Sequence, residues 1–327
     1  GSFVLGSIGS HDLRRFTAQG EHLWTVGREG EGPGEFMGLT EVVAGPGDTI
    51  LTYDFRQRRF SRFAPDGTLI DSHSLDGPSE SGFGFVETLM PDGGAVFTWR
   101  EFDREGGPPS EGEIRRDTIN VHVVDPGSEG SLELGTFPGA ETVVLQSGET
   151  EGGFTIAIGP TPFARSTQVA GGASGVWLGD TDRFEIRRYD IHGGLEAIIR
   201  RSWTPVVVDD ALIQRAIDEE LEDADDDDQR RFVRRRWEST PTPETLPAFE
   251  AIRIDRGGNA WVQQFQIPGV PERTWSVFDA DGRWLGDVVF PDRFSPLEIG
   301  DDYVLGRFGD ELDVEHIQIW ELVKPTG

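Results

Sequence analysis

The sequence predicts an all-β fold: a six-bladed β-propeller of four-stranded antiparallel blades, with one helical hairpin inserted between blades four and five. Three observations predict it. A pattern of short apolar strands joined by glycine turns recurs six times along the chain. One such sheet leaves both faces uncovered, and radial packing of copies buries them while leaving only short edges. Residues 209–238 alone abandon strand periodicity for helical spacing.

The copies read as LRRFTAQGEHLWTVG at 13–27, RRFSRFAPDGTLIDSHSL at 58–75 and INVHVVDPGSEGSLELGTF at 119–137. They continue as EIRRYDIHGGLEAIIRRSW at 185–203, TWSVFDADGRWLGDVVF at 274–290 and DYVLGRFGDELDVEHIQIWEL at 302–322. A further strand precedes most of them, such as DTILTYDF or NAWVQQF. Alternation in Trp275-Ser276-Val277-Phe278 and Ile119-Asn120-Val121-His122-Val123 fits half-buried strands. Pro65-Asp66-Gly67, Asp279-Ala280-Asp281-Gly282 and Arg256-Gly257-Gly258-Asn259 supply the positive φ that hairpin turns need. A seven-bladed ring or a β-sandwich pair is the runner-up.

The end copies are incomplete. The first, from about Ser2 to Gly27, reads as the second, third and fourth strands of a blade, and the last reads as the first, second and third. The expectation is that roughly 20 to 40 residues precede Gly1 and supply the two absent strands.

The insert, taken as 209–246, begins with Asp209 or Asp210 as a helix cap. Leu212, Ile213, Ile217 and Leu221 follow at helical spacing. Asp225 to Asp228 open a second helix at its positive end, and Arg230, Arg231, Arg234, Arg235 and Arg236 lie further along it. An insertion there is expected to lie over one mouth of the ring. The five arginines with Trp237 are the candidate partner-binding residues, because Arg and Trp anchor interfaces. The competing reading pairs those arginines with the acidic residues of the hairpin itself.

Net charge is -29, with no cysteine among 327 residues. Such a surface repels nucleic acid and anionic headgroups. No apolar run reaches the roughly 20 residues that cross a bilayer, so direct membrane insertion by a helix is not expected. Without cysteine, neither a disulfide nor a thiol nucleophile exists. Lys324 is the only lysine, which fits a GC-rich genome or adaptation to salt.

Gly27 to Phe36, GREGEGPGEF, has four glycines in its first eight residues. It lacks the Gly-Lys-Ser/Thr of a phosphate loop, and Glu29, Glu31 and Glu35 would repel phosphate. Its expected role is the crossover from the outer strand of one blade to the inner strand of the next. A backbone-lined rim for a ligand or cation is the alternative. Asp223 to Asp228 fails as a calcium loop, since Asp228 stands where glycine is required and Arg234 where glutamate is required. His11, His22, His73, His122, His192 and His316 form no zinc motif. No GxSxG elbow is present.

GREGEGPGEF, followed by RRFSRFAPDG and later by GNAWVQQF, TWSVFDADGRWLG and DELDVEHIQIWEL, resembles uncharacterised bacterial six-bladed propellers related to NHL-repeat proteins. The resemblance covers nearly the whole chain. It implies the fold and export to the periplasm or beyond, and no shared activity. Lactonase-type six-bladed enzymes hold a central divalent metal with carboxylate and asparagine ligands. This chain has only Asn120 and Asn259, and Asn259 falls in a hairpin turn. The leading expectation is therefore a non-catalytic binding or scaffold module with a protein partner, no cofactor, and room for a small ligand in the central funnel. It suits an extrinsic accessory subunit of a larger, membrane-associated assembly. The alternative is a metal-dependent hydrolase or lyase in that funnel. A carbohydrate-binding role for the nine tryptophans is a third.

Overall fold

The computed structural model describes residues 1–75, 82–101, 110–124, 130–150, 153–310, 312 and 314–323. Lys324 and residues 125–129 of the third sequence copy lie outside them. Six antiparallel sheets follow one another along the chain. The first holds β1 (Ser2–Ser7), β2 (Asp12–Thr17) and β3 (His22–Val26). The second holds β4 (Leu39–Ala44), β5 (Ile50–Asp54), β6 (Arg59–Phe63) and β7 (Leu69–Ser74). The third holds β8 (Gly82–Leu89), β9 (Ala95–Glu101), β10 (Ile114–Val124), β11 (Leu132–Thr150) and β12 (Gly153–Pro160). The fourth holds β13 (Thr167–Gly172), β14 (Gly175–Asp180), β15 (Glu185–Tyr189) and β16 (Leu195–Arg200). Two helices, α1 (Asp210–Glu222) and α2 (Asp227–Ser239), come next. The fifth sheet is β17 (Phe249–Ile254), β18 (Ala260–Gln264), β19 (Glu272–Phe278) and β20 (Trp284–Pro291). The sixth is β21 (Phe294–Ile299), β22 (Tyr303–Gly309) and β23 (Glu315–Glu321).

This is the predicted propeller, with the helical hairpin between the fourth and fifth sheets. One expectation is corrected: only three of the six sheets have four strands. The first and last have three, and the third has five, because the long β11 runs on to pair with β12.

Neighbouring sheets are glued by apolar clusters, and burying such side chains is the main driving force for folding. Leu13, Phe36, Leu39, Ile50 and Phe63 join the first sheet to the second. Leu51, Tyr53, Phe60, Leu89 and Phe97 join the second to the third. Val96, Val121, Val176 and Leu178 join the third to the fourth. Trp177, Ile186, Phe249 and Val262 join the fourth to the fifth. Trp261, Trp275, Phe290, Phe294 and Val304 join the fifth to the sixth. The second strands lie deepest: β5 is buried at all five positions.

The glycine-rich crossover is a structural device. Gly27, Gly30 and Gly34 take positive φ of 91, 155 and 76°. Glu35 accepts from the Gly32 amide at 2.9 Å and pairs with Arg28 at 2.6 Å. Arg59 donates to the Gly32 and Glu31 carbonyls, both at 2.7 Å. Phe36 plugs the core behind the loop. Buried Asp54 then accepts from the amides of Met37, Gly38 and Gln57 at 2.6, 2.8 and 3.0 Å, pinning the start of β4.

Candidate functional site in the central channel

Each sheet from the second to the sixth begins with its inner strand, and these five strands wall a cavity of about 710 Å3. The cavity takes in the ends of β4, β8, β13, β17 and β21 and the turns that follow them. Crossovers deliver the chain to the starts of the inner strands. The funnel therefore opens on the face opposite the crossovers and the helical hairpin.

Four charged side chains stand on the inner strands of this wall: Glu41 on β4, Glu87 on β8, Arg253 on β17 and Glu298 on β21. The first three sit among mostly apolar residues, in LTEVVA, FVETL and AIRI. Glu41 is half-buried, and burial pushes its pKa up to about 7. The Arg253 charge opposes that rise and the Glu87 charge adds to it. Arg253 is open to channel water yet enclosed by protein, so burial lowers its pKa while Glu41 raises it. No ion pair within 4.0 Å and no hydrogen bond engages the Arg253 guanidinium among the described residues. Glu87 accepts from the Thr98 hydroxyl at 2.5 Å.

The funnel rim is more fully bonded. Asp255, buried, accepts from the Asn259 amide at 2.8 Å, the Asn259 side chain at 2.8 Å and Trp261 Nε1 at 3.1 Å. Arg256 pairs with Glu298 at 2.8 Å, and the Tyr303 hydroxyl donates to the same carboxylate at 2.5 Å. Burial, followed by Glu298, raises the Tyr303 pKa, so its proton stays on.

The residues do not fit the metal site of lactonase-type propellers. Among the described residues, no three His, Asp or Glu side chains gather closely enough to hold a metal ion. Asn259 spends its amide on Asp255, and Asn120 accepts from Thr136 at 2.7 Å on the third sheet.

The hairpin absorbs most of its own charge. Asp209 caps α1 by accepting from the Leu212 amide at 2.8 Å, and Asp226 caps α2 by accepting from Gln229 at 2.8 Å. Arg231 pairs with Asp228, Arg236 with Glu220, and Arg230 donates to the Ala224 carbonyl at 3.0 Å. Trp237 donates to Glu220 at 3.1 Å and meets Phe163 edge to face. Arg234 and Arg235 are exposed and make no ion pair among the described residues. Of the six candidate partner-binding residues, these two face solvent unengaged. Sequence reasoning missed Glu41, Glu87 and Arg253. A charged residue within a mostly apolar first strand is the local trace in LTEVVA and FVETL, but it does not recur in TQVAGG and does not say which way a side chain points.

Fold and site together define an all-β propeller with one helical insert and a charged central channel. No family model matches the chain, and no curated protein matches it. Solved structures similar to it include a member of the DUF4221 family from Bacteroides vulgatus, at 10% identity and TM-score 0.49, covering 95% of this chain and 86% of that one. A gluconolactonase from Xanthomonas campestris is 11% identical with TM-score 0.45, covering 98% and 82%. A virginiamycin B lyase from Staphylococcus aureus is 12% identical with TM-score 0.40, covering 98% and 94%. Likeness at this level says nothing of chemistry, and the fold rests on the six sheets themselves. No described helix is long and apolar enough to cross a membrane.

Proposed function

We propose that this chain is an exported ligand-binding propeller whose funnel takes a small carboxylate-bearing molecule. The observation that carries the reading is Arg253, a guanidinium on the channel wall that makes no ion pair or hydrogen bond among the described residues. Guanidinium groups recognise carboxylates through paired N–H donors, and such bonds strengthen away from bulk water. Glu41 and Glu87 disfavour a multiply charged ligand and favour a monoanion with hydroxyls. With its pKa near 7, Glu41 exchanges a proton at neutral pH, which also suits an acid–base reaction on the bound molecule. The test is calorimetric titration with a panel of small hydroxy-carboxylates against wild type and Arg253→Gln. Binding by wild type that falls at least about tenfold in the variant supports the reading. Equal binding by both, or by neither, contradicts it.

A second reading has its own observation. Arg234 and Arg235 are exposed cations that make no ion pair among the described residues, on a protein of net charge -29. They suit an acidic segment of a protein partner, as expected of a scaffold subunit. Pull-down from the native source with Arg234→Ala/Arg235→Ala should lose that partner, and unchanged capture removes the reading.

A further inference from the structure

Four of the five inner strands slip by one residue against their second strands, at Leu39/Glu41, Val86/Thr88, Phe249/Ala251 and Pro296/Glu298. Such bulges break strict alternation and re-aim nearby side chains. The charged residues of the inner wall, Glu41, Glu87, Arg253 and Glu298, all lie on these four strands. The fifth strand, β13, keeps its register and carries TQVAGG, without a charge. Bulge and cavity-facing charge therefore go together.

These charges are unequally satisfied. Glu298 is held by Arg256 and the Tyr303 hydroxyl, and Glu87 by the Thr98 hydroxyl. Asp255 is held by Asn259 and Trp261, and Asp54, on β5 beside β4, by three amides. Asp48, on the turn after β4, is exposed at the cavity edge. β1, which packs on β4, brings no charged side chain, and no histidine lines the cavity. Glu41 and Arg253 remain. Among the described residues, neither makes an ion pair or a hydrogen bond.

A free carboxylate and a free guanidinium around one cavity bear on each other's other partners. Ionised Glu41 offsets the field of Arg253 and repels an incoming carboxylate. Protonated Glu41 does neither, and its hydroxyl offers a hydrogen-bond donor. The switch falls near neutrality: burial, the largest cause, holds the Glu41 pKa up to about 7, with Arg253 opposing and Glu87 adding.

We propose that Glu41 gates the funnel as an internal competitor for Arg253: the protonated funnel takes a carboxylate ligand, and the ionised funnel releases it. The inference rests on the reading that Arg253 holds a ligand carboxylate. Coupling of this kind is reciprocal, so a bound carboxylate raises the affinity of Glu41 for its proton by the same factor. Mildly acidic surroundings load the funnel, and alkaline surroundings empty it.

The test is calorimetric titration with glycerate, a small hydroxy-carboxylate whose own carboxyl stays ionised across the range used. Wild type, Glu41→Gln and Arg253→Gln are compared at about pH 6 and about pH 8. Wild-type affinity should fall roughly fivefold over that interval, as a rise of about one unit in the Glu41 pKa on binding would give. Binding near neutrality should take up a proton, read as a dependence of the heat on the ionisation enthalpy of the buffer. Glu41→Gln should bind at both pH values as wild type does at the lower, without proton uptake. Binding that needs Arg253 but keeps one Kd and takes up no proton overturns the gate and leaves the ligand reading standing. A pH dependence that persists in Glu41→Gln also overturns the gate, by assigning it to another group. Binding indifferent to Arg253→Gln, or no binding at either pH, overturns the ligand reading and the gate with it.

Discussion

The helical hairpin and the channel wall treat charge in opposite ways. The hairpin concentrates it: α2 alone carries five arginines, and Arg231, Arg234 and Arg235 stand where water screens them. Arg230, Arg231 and Arg236 are absorbed by neighbours within the hairpin, and the exposed Arg231–Asp228 pair contributes little. The channel spreads its charges over separate strands that face one cavity: Glu41 is half-buried and shifted to about 7, while Glu87 and Arg253 stay open to channel water. Among the described residues, no ion pair or hydrogen bond engages the Arg253 guanidinium. Placement around a shared cavity, rather than density, turns a charged residue into a site.

The comparison can be broken by substitution, beginning with the largest effect. Asp54→Ala should be the most damaging, because it orphans the buried amide of Gly38 together with the part-buried amides of Met37 and Gln57. A loss of about 3 kcal/mol is expected, read by urea denaturation. Glu41→Gln comes next, with a pH signature. Native Glu41 keeps its proton to about pH 7, against a usual value of 4.5. The folded state therefore binds the extra proton between those values. The stabilisation is full below 4.5 and is lost as pH rises through 7. The variant should abolish that decline and be more stable than wild type at pH 8 by about 2 kcal/mol, allowing for channel water. Equal pH profiles would return Glu41 to the ordinary surface class.

On the hairpin the effects shrink. Asp209→Ala removes the cap on α1 and should cost about 1 kcal/mol, visible as faster hydrogen exchange in the first turn. Arg234→Ala/Arg235→Ala should change stability by less than about 0.5 kcal/mol. A larger loss would mean that these arginines hold the hairpin down.

Much of the fold was legible because strand period and glycine turns are local signals. The positive φ at Gly67 and Gly282 is written in PDG and ADG. The insert was legible for the same reason, since Asp209 and Asp226 mark both helix starts. β12 was not, because glycines in GETEGG make the end of β11 read as a loop when it is a continuing strand. The channel charges were illegible for a deeper reason. Glu41 and Arg253 lie far apart in sequence, and only the packing of successive sheets brings their strands around one cavity. Nothing in LTEVVA distinguishes an inward carboxylate from an outward one until the neighbouring sheets are placed.

The most direct measurement is a carbon-13 NMR titration of the Glu41 carboxyl in wild type and in Arg253→Met. The account predicts a midpoint near 7 in wild type, moving upward once the opposing guanidinium is gone. A midpoint near the ordinary 4.5, indifferent to Arg253, would show that the two groups do not share an enclosed site and would contradict the channel as the functional centre.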